Sequence, residues 1–252
     1  MCTVVILRRP GHDWPLLFAA NRDEMVARPW QPPARHWPDR PRVVAGMDSL
    51  AGGTWLGLSD QGVIAGVLNR PGSLGPAPGM RSRGELPLEA LDHASAADAA
   101  DALSHLEPGS YRTFNLAIAD ARDAFWISSV ESGGDPVLRV TRVPEGLSMI
   151  TAHDMNDARS DRIRHYRPLF ERAPAPEPEA GEWGAWQALL ASRESAPGAQ
   201  HEGAMNIATG HGFGTVSSSL LALPKPGRHN VKPRFLFAPG PPDEVPYAAV
   251  PL

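Results

Sequence analysis

Cysteine occurs once in this chain, at position 2, directly behind the initiator methionine. Methionine is cleaved readily when a small residue follows, and cysteine is small enough. Removal of Met1 would leave a thiol and a free α-amine on one carbon. The thiolate is a strong nucleophile. An α-amine with an ordinary pKa of about 7.7–8.0 can serve as its general base near neutral pH. A protonated α-amine and the nearby Arg22 would both favour the thiolate, so a lowered thiol pKa is expected. The alternative is packing, because a free cysteine is often a small buried residue at the start of a strand.

Three polar clusters accompany Cys2. Asn21-Arg22-Asp23-Glu24 follows the apolar run LLFAA. If residues 4–7 and 16–20 pair as a hairpin, Cys2 at the start of one strand lies opposite the end of the other. That would bring it close to Asn21, Arg22 and Asp23. Gly52-Gly53-Thr54-Trp55-Leu56-Gly57 sets a tryptophan among glycines, which allow close backbone approach. Trp55 is then a substrate wall or a core residue. Asn69 stands where GVIAGVLN turns into Arg70-Pro71-Gly72. It can serve the turn by bonding its own backbone, or donate its side-chain NH2 to an oxyanion. Glu24, Trp55, Arg70, Arg83 and His153, in or beside these motifs, are the candidate substrate-binding residues.

The elements that must position these groups are short and hairpin-rich. CTVVIL and LLFAAN read as paired strands broken by HDWP. RPWQPPARHWPDRPR, from Arg28, holds five prolines and two tryptophans and reads as an ordered loop. GGTWLGLS, GVIAGVLN, FNLAIAD, AFWISSV, VLRV, LSMIT, GTVSSSLLALP and RFLFAPG read as further strands. Residues 84–106 predict two helices with a break near His93 to Ser95 and Ser95 as N-cap. Residues 154–172 predict a helix with Ile163, Tyr166, Leu169 and Phe170 on one face, and another helix is expected around Trp183 to Ala191. Between them, at about 173–182, lies a proline-rich surface linker. Strands and helices come in blocks, which argues against a doubly wound fold and for antiparallel sheets covered by helices. The expected organisation is one domain over residues 1–252.

Bulk properties narrow the chemistry. A net charge of −4 leaves no basic footprint for nucleic acid. One cysteine cannot form an intrachain disulfide. No apolar run reaches the roughly 18 residues of a spanning helix, and MCTVVILRRPGHD lacks the charged start of a secretory leader. A cytoplasmic protein without a transmembrane segment is expected. GxGxxG, P-loop, HExxH and CxxC patterns are absent. The nine histidines are scattered, with His201 and His211 loosely spaced, so no metal site is expected.

MC at the start, LLFAANRDE, GGTWLG, LN before a turn and RGEL at residues 83–86 together resemble the NRDE family, also called the transport and Golgi organisation protein 2 family. MCT, LFAANRD and GVIAGVLNRPG are also similar, more distantly, to choloylglycine-type N-terminal-nucleophile hydrolases. That resemblance implies an α+β fold, an αββα sandwich of two antiparallel sheets flanked by helices. It also implies a processed N-terminal cysteine at Cys2, an aspartate at Asp23 and an oxyanion donor at Asn69, with Asn21 and Arg22 beside them. Where that branch carries an arginine ahead of the asparagine, this chain has Ala20. Thr151-Ala152-His153 and Val216 stand at two further positions of its set. The implied activity is hydrolysis of an amide or thioester, with a small-molecule substrate and no required cofactor. The NRDE resemblance implies an alternative on the same fold: non-catalytic handling of haem or an acyl-coenzyme-A type lipid. The seven tryptophans and Met25, Met47 and Met80 would suit an apolar ligand. Without a CxxCH motif, any haem would be held non-covalently.

Overall fold

The computed structural model describes residues 2–199, 203–228 and 230–252. In chain order the strands begin with β1 Thr3–Arg8, β2 Leu16–Met25, β3 Trp30–Ala34, β4 Val43–Asp48, β5 Leu56–Ser59 and β6 Ile64–Asn69. Helices α1 Glu85–Leu91 and α2 Ala96–Ser104 follow, then β7 Phe114–Ala119, β8 Ala124–Ser132, β9 Asp135–Arg142 and β10 Gly146–Ile150. The chain continues through α3 Asp161–Arg172, α4 Gly184–Ala191, β11 Phe213–Leu223, β12 Arg234–Ala238 and β13 Ala248–Ala249. These elements group into two compact units, Met1–Arg28 with Pro144–Pro251, and Pro29–Val143.

The first unit holds a six-stranded antiparallel sheet in the order β10-β1-β2-β11-β12-β13. β1 is a β-branched run that suits a strand. It turns at Gly11 (φ 88°) and returns as β2. The pairing runs from Thr3 opposite Asn21 to Arg8 opposite Leu16. Alternate residues Val5, Leu17, Ala19, Met149, Leu220 and Ala222 join Ile163, Tyr166 and Phe170 of α3 and Trp186 and Leu190 of α4 in one apolar cluster. α3 starts later than the pattern 154–172 suggests. Local side-chain bonds compete with the helix before Asp161: Asn156 (φ 61°) accepts from the Met149 N–H at 2.8 Å. Ser160 then caps the helix by accepting from Ile163 N–H. α4 begins one residue after Trp183. The proline-rich stretch before it is pinned: Glu177 bridges to Glu182, and Pro176 and Pro178 are buried.

The second unit is a seven-stranded antiparallel meander, β3 to β9 in sequence order, with its own core from α1, α2 and the sheet. Ser95 caps α2 as expected, accepting from Asp98 N–H. The Arg28–Arg42 stretch corrects the loop expectation. Residues 30–34 form edge strand β3, and Pro32 and Pro33 fall where its register shifts against β4. A proline lacks the N–H that an interior strand must donate, so the edge is where it fits. The strand expected over GGTWLGLS is shorter, beginning at Leu56. Gly53 instead presses on Gly84, where an added Cβ would lie 2.5 Å from the backbone carbon. Thr54 N–H donates to Gly84 carbonyl at 2.8 Å. The GGTW and RGEL motifs are therefore two sides of one backbone contact.

Candidate functional site

The residues around Cys2 are set by three strands. β2 lies between β1 and β11, and Thr3 faces Asn21, which in turn faces Ser218. Continuing this register one step sets Cys2 abreast of Arg22, which faces Ser217. Opposed residues share a face and neighbours along a strand alternate. Cys2, Arg22 and Ser217 therefore occupy one face of this sheet, while Thr3, Asn21, Asp23 and Ser218 occupy the other.

On the second face the polar groups are tightly bonded. Arg162, from the first turn of α3, donates from one nitrogen to Asp23 Oδ2 at 3.0 Å and to Thr3 Oγ1 at 2.6 Å. Both charged side chains have 0 % exposure. Thr215 Oγ1 donates to Asp23 Oδ1 at 2.7 Å. The carboxylate is thus met by a cation and a hydroxyl, as a buried charge requires. The Cys2 thiol meets the same residue through its backbone, with Sγ 3.6 Å from the Asp23 carbonyl oxygen. Asn21 donates from Nδ2 to the carbonyls of Leu190 and Met205 at 2.9 and 3.0 Å. Its oxygen accepts from Ser218 Oγ at 2.6 Å, and Ser218 also meets the Tyr247 hydroxyl at 2.6 Å. These bonds tie β2 to the end of α4, to β11 and to the C-terminal segment.

The other expected residues divide between the units. In the first unit, half-buried Glu24 accepts from Met25 N–H and pairs with Arg28 at 3.9 Å. His153 lies in the turn after β10, where its N–H meets Thr151 Oγ1 at 3.4 Å. In the second unit, Asn69 ends β6 opposite Phe114. Arg70 donates to Asn115 Oδ1 at 2.6 Å, which also accepts from Trp126 Nε1. Arg83 ties the 70–84 loop by donating to the Ser73 and Thr113 carbonyls at 2.7 and 3.1 Å. Trp55 stacks edge-on against Trp30, with ring centres 5.7 Å apart. Met1 and His201 lie outside the described residues.

With Met1 attached, the Cys2 thiol is held away from its ordinary value. Its pKa is raised, first by burial and then by the negative charge of Asp23, with Arg22 pulling weakly the other way. Burial disfavours the thiolate more than Arg22 favours it. Sequence reading also passed over Arg162, Thr215 and Ser218. Arg162 sits beside Ile163 within the amphipathic stretch, and only a polar residue flanking the apolar face hinted at it. The triplet Ser217-Ser218-Ser219 in an otherwise apolar strand was the available sign for β11.

Among the described residues, no three His, Cys, Asp or Glu side chains gather as a metal site, and no helix is long and apolar enough to cross a membrane.

Solved N-terminal-nucleophile hydrolases share this fold. Penicillin V acylase from Agrobacterium tumefaciens matches with a TM-score of 0.55 at 15% identity, over 94% of this chain and 83% of that one. A Caenorhabditis elegans N-acylethanolamine-hydrolyzing acid amidase ortholog matches at 0.56 and 12% identity, over 99% and 100%. A conjugated bile acid hydrolase from Clostridium perfringens matches at 0.51 and 12%, over 100% and 97%. At such identities the likeness carries the fold alone: α+β, two antiparallel sheets flanked by helices. By sequence, the Mus musculus Transport and Golgi organization 2 homolog is 37% identical over 115 residues, 42% of this chain and 38% of that protein. The Homo sapiens homolog is 36% identical over 117 residues, 43% and 40%. These matches span about two fifths of the relatives' length. The family model described as Transport and Golgi organisation 2 matches residues 1–231, and the chain belongs to that family.

Proposed function

We propose that the chain hydrolyses an amide or thioester, with Cys2 as nucleophile once Met1 is removed. The observation that carries this reading is the setting of the thiol at the head of a central strand. It lies abreast of Arg22 and against the backbone of Asp23, whose side chain is fixed by a fully buried ion pair. A nucleophile held by rigid, bonded neighbours is the arrangement that acyl transfer needs.

In this reading the α-amine of Cys2 takes the thiol proton and the thiolate adds to the substrate carbonyl. Collapse of the tetrahedral adduct breaks the carbonyl–nitrogen or carbonyl–sulfur bond, and the α-ammonium returns the proton to the leaving amine or thiol. The resulting thioester on Cys2 is attacked by water, whose proton goes to the α-amine. A carboxylic acid leaves and the thiol is regenerated. A cytoplasmic setting, which keeps thiols reduced, belongs to the same proposal.

The test is hydrolysis of N-acyl amide and acyl thioester probes by Met1-free protein beside Cys2→Ala. The variant is expected to lose turnover entirely and to keep its thermal midpoint. Equal turnover by Cys2→Ala would end the proposal. Saturable binding of haem or of an acyl lipid without turnover would favour the carrier alternative.

A further inference from the structure

Two β-turns of one pattern meet at the end of the first unit's sheet that lies away from Cys2. Arg9-Pro10-Gly11-His12 follows β1, and Lys225-Pro226-Gly227-Arg228 follows β11. His12 N–H closes the first on the Arg9 carbonyl at 3.0 Å, and Arg228 N–H closes the second on the Lys225 carbonyl at 3.2 Å. Gly11 (φ 88°) and Gly227 (φ 92°) each follow a proline, as a type II turn requires. Leu16 pairs with Leu223, and Lys225 N–H donates to the Asp13 carbonyl at 2.9 Å, so the turns lie side by side. Both begin and end on a basic residue, in a chain of net charge −4.

Donors at this corner lack acceptors. Arg9 continues the alternation of Val5 and Leu7, which pack in the cluster under α3 and α4 with Trp14. Its guanidinium donates to the Trp14 carbonyl at 3.3 Å, and its Nε is buried with no partner among the described residues. Arg228 gives one nitrogen to Glu179, while its Nη1 is likewise buried and without a partner there. Trp14 is 3% exposed, and its Nε1 also has none. His12 Nδ1 accepts from Trp14 N–H at 2.9 Å, which leaves the proton of the neutral ring on Nε2. Burying donors without acceptors costs free energy, and burying uncompensated charge costs more. A group that brings several oxygen acceptors and negative charge would relieve both.

We propose that the two turns form a binding site for a phosphate group. The guanidinium groups of Arg9 and Arg228 grip its oxygens, Trp14 Nε1 adds a neutral donor, and His12 and Lys225 stand at the rim. Phosphate fits better than a carboxylate, because its oxygens point in tetrahedral directions and meet donors from both turns. β1 holds this corner about 20 Å from Cys2, so binding here does not depend on the proposed hydrolysis. A soluble phosphomonoester and a lipid headgroup present the same oxygens.

Inorganic phosphate titrated into the whole chain tests the site, followed by calorimetry and by heteronuclear NMR of the side-chain N–H groups. Saturable binding is expected, with the Arg9 and Arg228 Nε–H and Trp14 indole N–H signals moving together. Arg9→Gln and Arg228→Gln should each weaken it about tenfold or more, since hydrogen bonds between charged groups are the stronger ones. Arg139→Gln, at an exposed arginine of β9, should leave it unchanged. Cosedimentation with phosphatidylcholine vesicles containing phosphatidic acid, lost in Arg9→Gln, would identify a headgroup. Phosphate binding without cosedimentation would identify a soluble phosphate. No saturation, parent signals that stay fixed, acetate bound as tightly as phosphate, or both arginine variants binding as the parent does would overturn the site.

Discussion

Replacing Arg162 with methionine is expected to cost about 3–5 kcal/mol of folding stability, the usual loss when one partner of a buried ion pair is removed. Arg162 and Asp23 are both fully buried, 3.0 Å apart. The substitution leaves the carboxylate in the interior with Thr215 but without its α3 cation. It also removes the 2.6 Å bond to Thr3 that joins α3 to the start of β1. Adding Asp23→Leu should recover much of the loss, because a buried pair exchanged for apolar groups is often neutral. Denaturant midpoints of the three proteins check this. A loss below about 1 kcal/mol for Arg162→Met, or a double variant less stable than the single one, would show that the pair does not hold the strand start.

Removing Met1 is expected to change thiol reactivity more than any side-chain substitution near it. With Met1 attached, burial and Asp23 hold the thiol above its ordinary range. Iodoacetamide labelling should then reach its midpoint above pH 8.5, the ordinary cysteine value. Processing puts an ammonium group on Cys2 itself, and a cation this close favours the thiolate. The labelling midpoint should fall below about pH 8.5, and a midpoint lower by one pH unit means about tenfold more thiolate at neutral pH. Labelling across pH of protein from cells with and without active methionine aminopeptidase reads both values. Coincident profiles would mean that the α-amine does not act on the thiol.

The first two strands were legible because β-branched VVIL and apolar LLFAA leave few alternatives, and their pairing fixed which residues meet Cys2. Ser95 was legible because capping is a local interaction. Edge strand β3 was hidden by Pro32 and Pro33, whose tolerance depends on a sheet edge that local sequence does not show. The late start of α3 was hidden because Asn156 and Ser160 compete through side-chain bonds that helix periodicity ignores. Arg162 was missed for a further reason. Its partners, Thr3 and Asp23, lie some 140 residues or more away, and only the fold brings a helix arginine onto the strand motif. The face assignment within Asn21-Arg22-Asp23 likewise needed the β11 partner. The motif alone does not tell that Asn21 bonds to α4 while Arg22 shares the row of Cys2.

The central claim is that Cys2, freed of Met1, carries the acyl group during turnover. Intact-mass spectrometry of Met1-free protein, acid-quenched during turnover of a decanoyl thioester, tests it most directly. One decanoyl adduct per chain, mapped to Cys2, decaying on chase and missing from Met1-retaining protein, is the predicted result. Turnover with no adduct on Cys2, or the same adduct and rate in protein that keeps Met1, would contradict it.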